Sequence, residues 1–449
     1  MGFIPISSYR VQGYTKITLA LIIVNVGIYL LSSYSSYFLV TSSDFIDRYG
    51  LIPLSITDPT QWYRFFTSMF VHADILHIFF NMYFLYVFGA GVEEAMGSRK
   101  YLLLYILSGL IASLFHISST VIAGYDTLVV PAIGASGAIS GVLGAYLILY
   151  PRRRLAICWF LWIIPVCFQS TASNFLLLWF TLQVFYSYIR LGSIAFYAHI
   201  GGFIAGLVLA KTLGYKRPHI DYYTLLYTPP PLREQIMESI IGQKLSRNTR
   251  LVLIVLFTVI LATLLYCLNY TIVNSHDVYV YSIRVEHVEE GIEEATSICS
   301  SDFNVIVYPV ETMPRIVFNR LLWSKLITGE PGSRELFYED YIETPFNGVK
   351  VYLLVKDTVV YDDNGVLIYS DGVMATNVIH VRDSEVKVSD IRVFHYRVET
   401  MYRIDDIEKT ILFIPTIVSI IVVAVALYMT VSYSGERVYE YYQWTYYYY

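Results

Sequence analysis

Residues 134–149, GASGAISGVLGAYLIL, form an uncharged stretch in which small residues recur at every fourth position. On a helix these positions align in two ridges, Gly137, Gly141, Ala145 and Ser136, Ser140, Gly144. A second stretch, residues 198–206 with the sequence AHIGGFIAG, has its own ridge in Gly202 and Gly206. Ridges of small residues let membrane helices approach each other closely. The two stretches therefore predict two membrane helices in direct contact.

The composition of the whole chain is typical of a membrane protein. Of its 449 residues, 56% are hydrophobic and only 15% are charged. In a typical soluble domain, about 25% of the residues are charged. The net charge of -5 indicates no basic surface, so no nucleic-acid partner is expected. The four cysteines lack metal-ligand spacing, and they predict neither a disulfide framework nor a metal site.

Membrane spans need about 20 apolar residues, and the pattern predicts eight of them. They are 17–39, 77–95, 102–121, 136–149, 174–189, 195–213, 251–272 and 411–431. The first is longer than the roughly 7–15 apolar residues of a signal peptide, so it is expected to be a retained helix. The apolar stretch 155–168 contains Pro165 and is interpreted as a lead-in to the fifth span.

The basic residues beside the spans predict the orientation of the chain. Those on one side are Arg10, Lys16, Arg99, Lys100, Arg152, Arg153, Arg154, Lys211, Lys216, Arg217 and Arg233. Lys and Arg accumulate on the cytoplasmic side of a membrane. The N-terminus is therefore expected in the cytoplasm of a multi-pass protein of the cell membrane. Arg64 and Arg190 are exceptions on the opposite side.

Polar groups inside a bilayer are costly and mark candidate functional sites. His77 and Asn81 lie one helical turn apart at the start of the second span. Ser136 opens the fourth span between Gly134 and Gly137, and His199 opens the sixth. Each also has a purely structural interpretation: an interhelical clamp, a packing motif or a satisfied core histidine.

The combination of these residues favours catalysis over the separate structural interpretations. His77, Ser136 and His199 all lie at the outer end of their spans under the predicted orientation. A serine at a helix N-terminus has free backbone N–H groups beside it, and the glycine ridges bring His199 toward it. Ser136 is thus predicted to be a nucleophile, His199 its base, and His77 and Asn81 donors to an oxyanion.

At roughly residues 15–212 the chain resembles the rhomboid intramembrane serine proteases. The motifs are HxxxN at His77, GASG at Gly134 and AHxxGxxxG at Ala198. The segment around Arg64 is similar to the WR signature of the family's first outer loop, although Tyr63 stands where the family has tryptophan. Residues 91–98, with Glu93, fit the segment after the second span.

The resemblance implies a Ser136–His199 dyad without an aspartate, and an oxyanion hole formed by the Ser136 N–H, His77 and Asn81. It implies support from His72 near that hole, from Gly134, Gly137, Gly202 and Gly206, and from Arg64 in a lipid-embedded loop with contacts on the Glu93 side. It implies transmembrane protein substrates, cleaved near the outer face after a small residue, and no cofactor or metal. Ser140 replaces the aromatic residue on which many members pack the catalytic histidine.

The expected fold is an all-α polytopic membrane protein: a six-helix rhomboid core plus two further transmembrane helices flanking an extracytoplasmic α+β domain. The predicted divisions are the core at 1–213, a cytoplasmic linker at 214–250, a seventh span at 251–273, the outer domain at 274–409, an eighth span at 410–434 and a cytoplasmic tyrosine-rich tail at 435–449.

In the outer domain, alternation of apolar and polar residues predicts strands at 278–285, 349–355, 366–369 and 391–398, with a hairpin at Asn364-Gly365. Helices are expected at 288–300 and 315–327.

Two other functions are open alternatives to an intramembrane protease. A non-catalytic relative would bind membrane helices for quality control, and it would usually lack the serine or the histidine. A transporter or channel would place ionisable groups through the depth of the membrane, or show inverted repeats. The polar groups here cluster toward the outer ends of the spans, which favours the protease.

Overall fold

The computed structural model describes residues 3–7, 15–161, 164–189, 195–215, 245–287, 291–299, 304–307, 329–343, 350–363, 365–382 and 385–432. Its helices are α1 (Lys16–Ser33), α2 (Ser43–Tyr49), α3 (Arg64–Thr67), α4 (Ile75–Phe84), α5 (Ala90–Met96), α6 (Ser98–Ser118), α7 (Thr120–Ala123), α8 (Ser136–Leu149), α9 (Ala172–Ile189), α10 (Phe196–Leu213), α11 (Arg247–Val273) and α12 (Phe413–Val431). A π-helical turn, Leu85–Gly89, joins α4 to α5.

Six helical segments among the described residues are long and apolar enough to cross a membrane. They are Lys16–Ser36, Ile75–Met96, Ser98–Ser118, Phe196–Leu213, Arg247–Val273 and Glu408–Val431. The protein is therefore a multi-pass membrane protein. The predicted fourth and fifth spans correspond in position to α8 and α9, which are not among these six.

Helix α8 has 14 residues and is buried from Gly137 to its end. A helix that is apolar on all sides belongs in the interior of a bundle. It packs against α6 and α10, and glycine makes that contact possible. A Cβ atom on Gly202 would overlap the carbonyl oxygen of Gly137, and one on Gly206 would overlap that of Gly141. The backbones of α8 and α10 are thus in direct contact.

The last two helices belong to the same helical unit as the others, which comprises Met1–Val273 and Ile411–Tyr449. Helix α11 packs against α9, where the rings of Phe257 and Phe180 lie 6.1 Å apart. Helix α12 packs against α6 and α10, and Lys211 Nζ donates to the carbonyl oxygen of Met429 at 3.1 Å. The helical unit therefore extends beyond the first 213 residues.

The second unit, Asn274–Thr410, contains a seven-stranded antiparallel sheet in the order β6-β5-β4-β10-β9-β8-β7. The chain also has a three-stranded sheet, β1-β2-β3, in the helical unit. The strands are β1 (Phe3–Ser7), β2 (Arg154–Leu161), β3 (Ile164–Thr171), β4 (Val278–His287), β5 (Gly291–Cys299), β6 (Asn304–Val307), β7 (Gly332–Glu343), β8 (Lys350–Tyr361), β9 (Leu367–Arg382) and β10 (Glu385–Ile404). The chain as a whole is thus mixed α and β, and the all-α description fits only its membrane-spanning helices.

The strands predicted in the second unit are confirmed, because each lies within β4, β8, β9 or β10 or overlaps it. A short connection joins the paired strands β8 and β9, and its Gly365 has a φ of 74°. The helix expected at 288–300 is wrong: residues 291–299 form β5, which pairs with β4 along its whole length. The helix expected at 315–327 lies outside the described residues.

The stretch 155–168 leads into the fifth predicted span, α9, as expected, since β3 ends at Thr171 and α9 begins at Ala172; that it does so as a β-hairpin was not predicted. It forms the hairpin β2–β3, and β1 adds to its edge through pairs such as Phe3 with Trp159. A disulfide joins Cys158 to Cys167 across the hairpin. The cysteine pattern alone did not suggest this cross-link, because two cysteines nine residues apart become cross-strand neighbours only in the hairpin.

Candidate active site

Ser136 is the first residue of α8 and is half-buried. The N–H groups in the first turn of a helix have no partner within the helix. Ser136 therefore presents its hydroxyl beside unpaired backbone donors and the positive end of the helix dipole. Both features favour negative charge developing close to the Ser136 side chain.

His199 lies in the first turn of α10 and faces Ser136. Its Nε2 is 2.8 Å from Ser136 Oγ, within the distance at which a base removes a proton from a serine hydroxyl. The contact follows from the glycine ridges, because α8 and α10 meet backbone to backbone next to these two residues. The structure thus brings together the two residues predicted as nucleophile and base.

The other ring nitrogen of His199 has a partner that the sequence did not indicate. Nδ1 lies 2.8 Å from Oε1 of Gln183, a fully buried residue of α9. The Trp179 ring lies 6.2 Å from the imidazole at 34°. Ser140, in contrast, uses its hydroxyl within α8, donating to the carbonyl oxygen of Ser136 at 2.7 Å. Helix α9 therefore provides the support for His199 that position 140 does not provide.

His77 lies in the first turn of α4. A Cβ atom on Gly134 would lie 2.7 Å from His77 Nε2 and 3.7 Å from Ser136 Oγ. Gly134 also has a φ of 114°, which side chains rarely tolerate. Nδ1 of His77 accepts from the N–H of Ala73 at 3.4 Å, so the proton of a neutral ring lies on Nε2. His77 thus presents a hydrogen-bond donor near Ser136.

Asn81 is buried one turn along α4, and its Nδ2 donates to the carbonyl oxygen of His77 at 2.9 Å. An amide nitrogen carries two protons, so this bond uses one of them. Asp74 fixes the start of α4 by accepting from the N–H groups of Leu76 and His77. The helix start that carries the two predicted oxyanion donors is therefore well defined.

His72 precedes α4 and is fully buried. Its Nε2 accepts from the N–H of Ala135 at 3.4 Å, and its ring lies 5.1 Å from that of His77. Burial, together with the smaller effect of the neighbouring His77, lowers the pKa of His72 to about 3. His72 is therefore neutral at physiological pH and supports the segment that leads to Ser136.

Arg64 and Glu93 hold separate parts of the helical unit. Arg64 Nη1 donates to the carbonyl oxygens of Asp47 and Gly50, and its Nε donates to Gln61. Glu93 caps α1, where it accepts from the N–H groups of Ile17 and Thr18. The Glu93 carboxylate is thus directed at the positive N-terminus of α1, while Arg64 binds carbonyl oxygens at the end of α2.

The described residues contain no group of three or more His, Cys, Asp or Glu side chains arranged to hold a metal ion. The chemistry available at this site is that of a hydroxyl, a neutral base and nearby hydrogen-bond donors. Such a set suits acyl transfer, in which a nucleophile attacks a carbonyl and the resulting oxyanion is stabilised.

Residues 59–216 match the sequence model of the rhomboid domain. The chain is 29% identical over 174 residues to rhomboid protease GluP of Bacillus subtilis, covering 39% of this chain and 30% of that protein. It is 32% identical over 146 residues to rhomboid protease AarA of Providencia stuartii, covering 30% and 51%. It is also 32% identical over 101 residues to inactive rhomboid protein 1 of Drosophila melanogaster, covering 22% and 7%.

The chain spans about half or less of the length of each of these relatives. The matched segment contains Ser136, His199, His77 and Asn81, and it ends before α11 and the second unit. The chain is therefore a multi-pass membrane protein with a rhomboid domain at residues 59–216, similar to proteins named rhomboid proteases, and with a further C-terminal region.

Proposed function

We propose that the protein is an intramembrane serine endopeptidase in which Ser136 is the nucleophile and His199 the general base. The observation that carries this proposal is the 2.8 Å contact between Ser136 Oγ and His199 Nε2 inside the rhomboid domain. The hydroxyl donates to the imidazole, which leaves an oxygen lone pair free for attack on a carbonyl carbon.

In the proposed reaction, Oγ of Ser136 attacks the scissile carbonyl while its proton passes to Nε2 of His199. The tetrahedral intermediate expels the amine, which takes that proton from His199, and an acyl-enzyme remains. A water molecule, deprotonated by the same histidine, then hydrolyses the ester and restores Ser136. No metal or cofactor takes part in these steps.

In this proposal the oxyanion accepts hydrogen bonds from three donors. These are the backbone N–H of Ser136 at the start of α8, Nε2 of His77 and the second amide proton of Asn81. A single such donor is worth about 3–4 kcal/mol in the transition state. These donors stabilise the negative charge that develops on the carbonyl oxygen of the substrate as Ser136 attacks.

The substrates of this reaction are transmembrane segments of other proteins, since the site lies in a domain built from membrane helices. Cleavage takes place toward the extracytoplasmic face, because the basic residues beside the spans favour a cytoplasmic N-terminus. In this arrangement the second unit is extracytoplasmic and α11 and α12 are its membrane anchors.

The alternative is a non-catalytic protein that binds membrane helices, and the similarity to a protein named inactive rhomboid protein 1 favours it. Labelling with a fluorophosphonate probe distinguishes the two, since the probe reacts with an activated serine. We expect covalent labelling of the intact protein, mapped by peptide mass spectrometry to Ser136 and absent in Ser136→Ala and His199→Ala. A folded wild-type protein that is not labelled contradicts the proposed function.

A further inference from the structure

We propose that Gln183 is a positioning residue that holds His199 in the tautomer able to accept a proton from Ser136. The inference rests on the proposed protease function. It adds an uncharged third residue, Gln183, to the catalytic pair Ser136–His199. The observation is that each ring nitrogen of His199 has a hydrogen-bond partner at 2.8 Å. Nδ1 contacts Oε1 of Gln183, and Nε2 contacts Oγ of Ser136.

The chemistry of an amide oxygen determines the tautomer of His199. Oε1 of Gln183 only accepts hydrogen bonds, so Nδ1 of His199 must carry the proton. Nε2 then has a free lone pair directed at Ser136 Oγ, as a general base needs. The opposite tautomer would place a proton between Nε2 and Ser136, and the hydroxyl could not be deprotonated.

The surroundings of Gln183 indicate that the side chain is present for this contact. It is fully buried on α9, between the apolar residues Phe180 and Val184 of the same buried face. A buried amide is costly unless its polar atoms are paired. The Nε2 atom of Gln183 has no hydrogen-bond partner among the described residues. The hydrogen bond between its Oε1 and His199 therefore offsets the cost of burying the amide.

A neutral acceptor is also suited to this position. A carboxylate in the same buried place would have to be desolvated, which costs far more than burying an amide. An amide dipole orients the ring in the resting state and still accepts from Nδ1 when the ring is protonated. The Gln183 side chain thus serves both stages of the reaction without a buried charge.

The test compares Gln183→Leu and Gln183→Glu with the wild-type protein in proteoliposomes containing a transmembrane model substrate. Leucine removes the acceptor at similar volume, so we expect kcat to fall by about ten- to a hundredfold while KM changes less than about threefold. The acid limb of the pH–kcat profile should move to lower pH, because the imidazolium loses an acceptor. Glutamate keeps an acceptor oxygen and should recover part of kcat, with its acid limb at higher pH than in Gln183→Leu.

Ser187→Ala is the matched control, because Ser187 is buried on the same helix and donates to the carbonyl oxygen of Val184. It should leave kcat and the pH profile unchanged. If Gln183→Leu lowers only the melting temperature and keeps the wild-type pH profile and labelling rate of Ser136, Gln183 is an interhelical clamp and the inference is wrong. If the wild-type protein neither cleaves nor reacts with the probe, the proposed function itself fails.

Discussion

The pair Ser136–His199 shows how far individual residues can be read from the sequence. Gly202 and Gly206 form a ridge that matches the one on α8, so close contact between the two helices was predictable, and with it the approach of His199 to Ser136. Gln183 was not predictable in the same way. A single amide in an apolar helix has no partner until the rotation of α9 about its axis is known, and that rotation depends on packing against α10 and α11.

Asn81 carries the first prediction at the residue scale. Asn81→Ala removes a donor from the proposed oxyanion hole, so kcat should fall about 100- to 1,000-fold with KM little changed. Cleavage of a transmembrane model substrate measures this. Asn25→Ala is the control, because Asn25 of α1 is buried and donates to the carbonyl oxygen of Leu21 in the same way. Equal activity in Asn81→Ala and Asn25→Ala would contradict the role of Asn81.

The second residue-scale prediction concerns His72 and acid stability. Its pKa is about 3 in the folded protein, against an ordinary histidine pKa of 6.5. Between these values the unfolded chain binds more protons than the folded one, so this residue lowers stability as the pH falls from about 6.5 toward 3. His72→Gln keeps an acceptor for the Ala135 N–H but does not titrate. We expect its melting temperature to decrease less between pH 7 and pH 4 than that of the wild type; equal decreases would exclude this contribution.

At the scale of elements, the membrane helices were easier to predict than the strands. Their signal is local: about 20 consecutive apolar residues are sufficient. The sequence of the hairpin β2–β3 is as apolar as that of a membrane helix. Its pairing with β1 joins residues about 150 positions apart, and no local sequence pattern reveals such a pairing. The segment 291–299 has a helical pattern, but pairing with β4 overrides it, as tertiary context often does.

The contact between α8 and α10 gives a prediction at this scale. The methyl group added by Gly202→Ala would overlap the carbonyl oxygen of Gly137. Because this oxygen belongs to the backbone, the clash cannot be relieved by rotating a flexible side chain. We expect the helices to separate, the melting temperature to fall and cleavage to be lost. Gly27→Ala in α1 is the control, because nothing lies within 4 Å of the added Cβ. A Gly202→Ala protein as stable and active as Gly27→Ala would show that the close contact is not required.

At the scale of the whole molecule, the chain comprises a helical unit and a sheet unit. The predicted boundary at residue 274 rested on the end of an apolar run, and the sheet unit begins at Asn274. The edge strands and sheet order were not predictable, because the strand order depends on which strands pair. β4 lies next to β10 rather than at an edge, which joins the start of this unit to its end.

The predicted orientation places the sheet unit and the loop after α8 on opposite sides of the membrane. Asp363 in the sheet unit and Arg152 after α8 are both exposed. A membrane-impermeant maleimide should label Asp363→Cys in intact cells and Arg152→Cys only after permeabilisation. The wild-type chain measures the background from the native cysteines. Labelling of both variants from the same side would overturn the predicted orientation.

The central claim is that Ser136, activated by His199, hydrolyses peptide bonds within the membrane. The most direct measurement is mass spectrometry of fragments from a transmembrane substrate reconstituted in liposomes with wild-type protein, Ser136→Ala or His199→Ala. The account predicts two complementary fragments, cut within or beside the transmembrane segment, from the wild type alone. Absence of cleavage by the folded wild-type protein, or equal cleavage by Ser136→Ala, would contradict it.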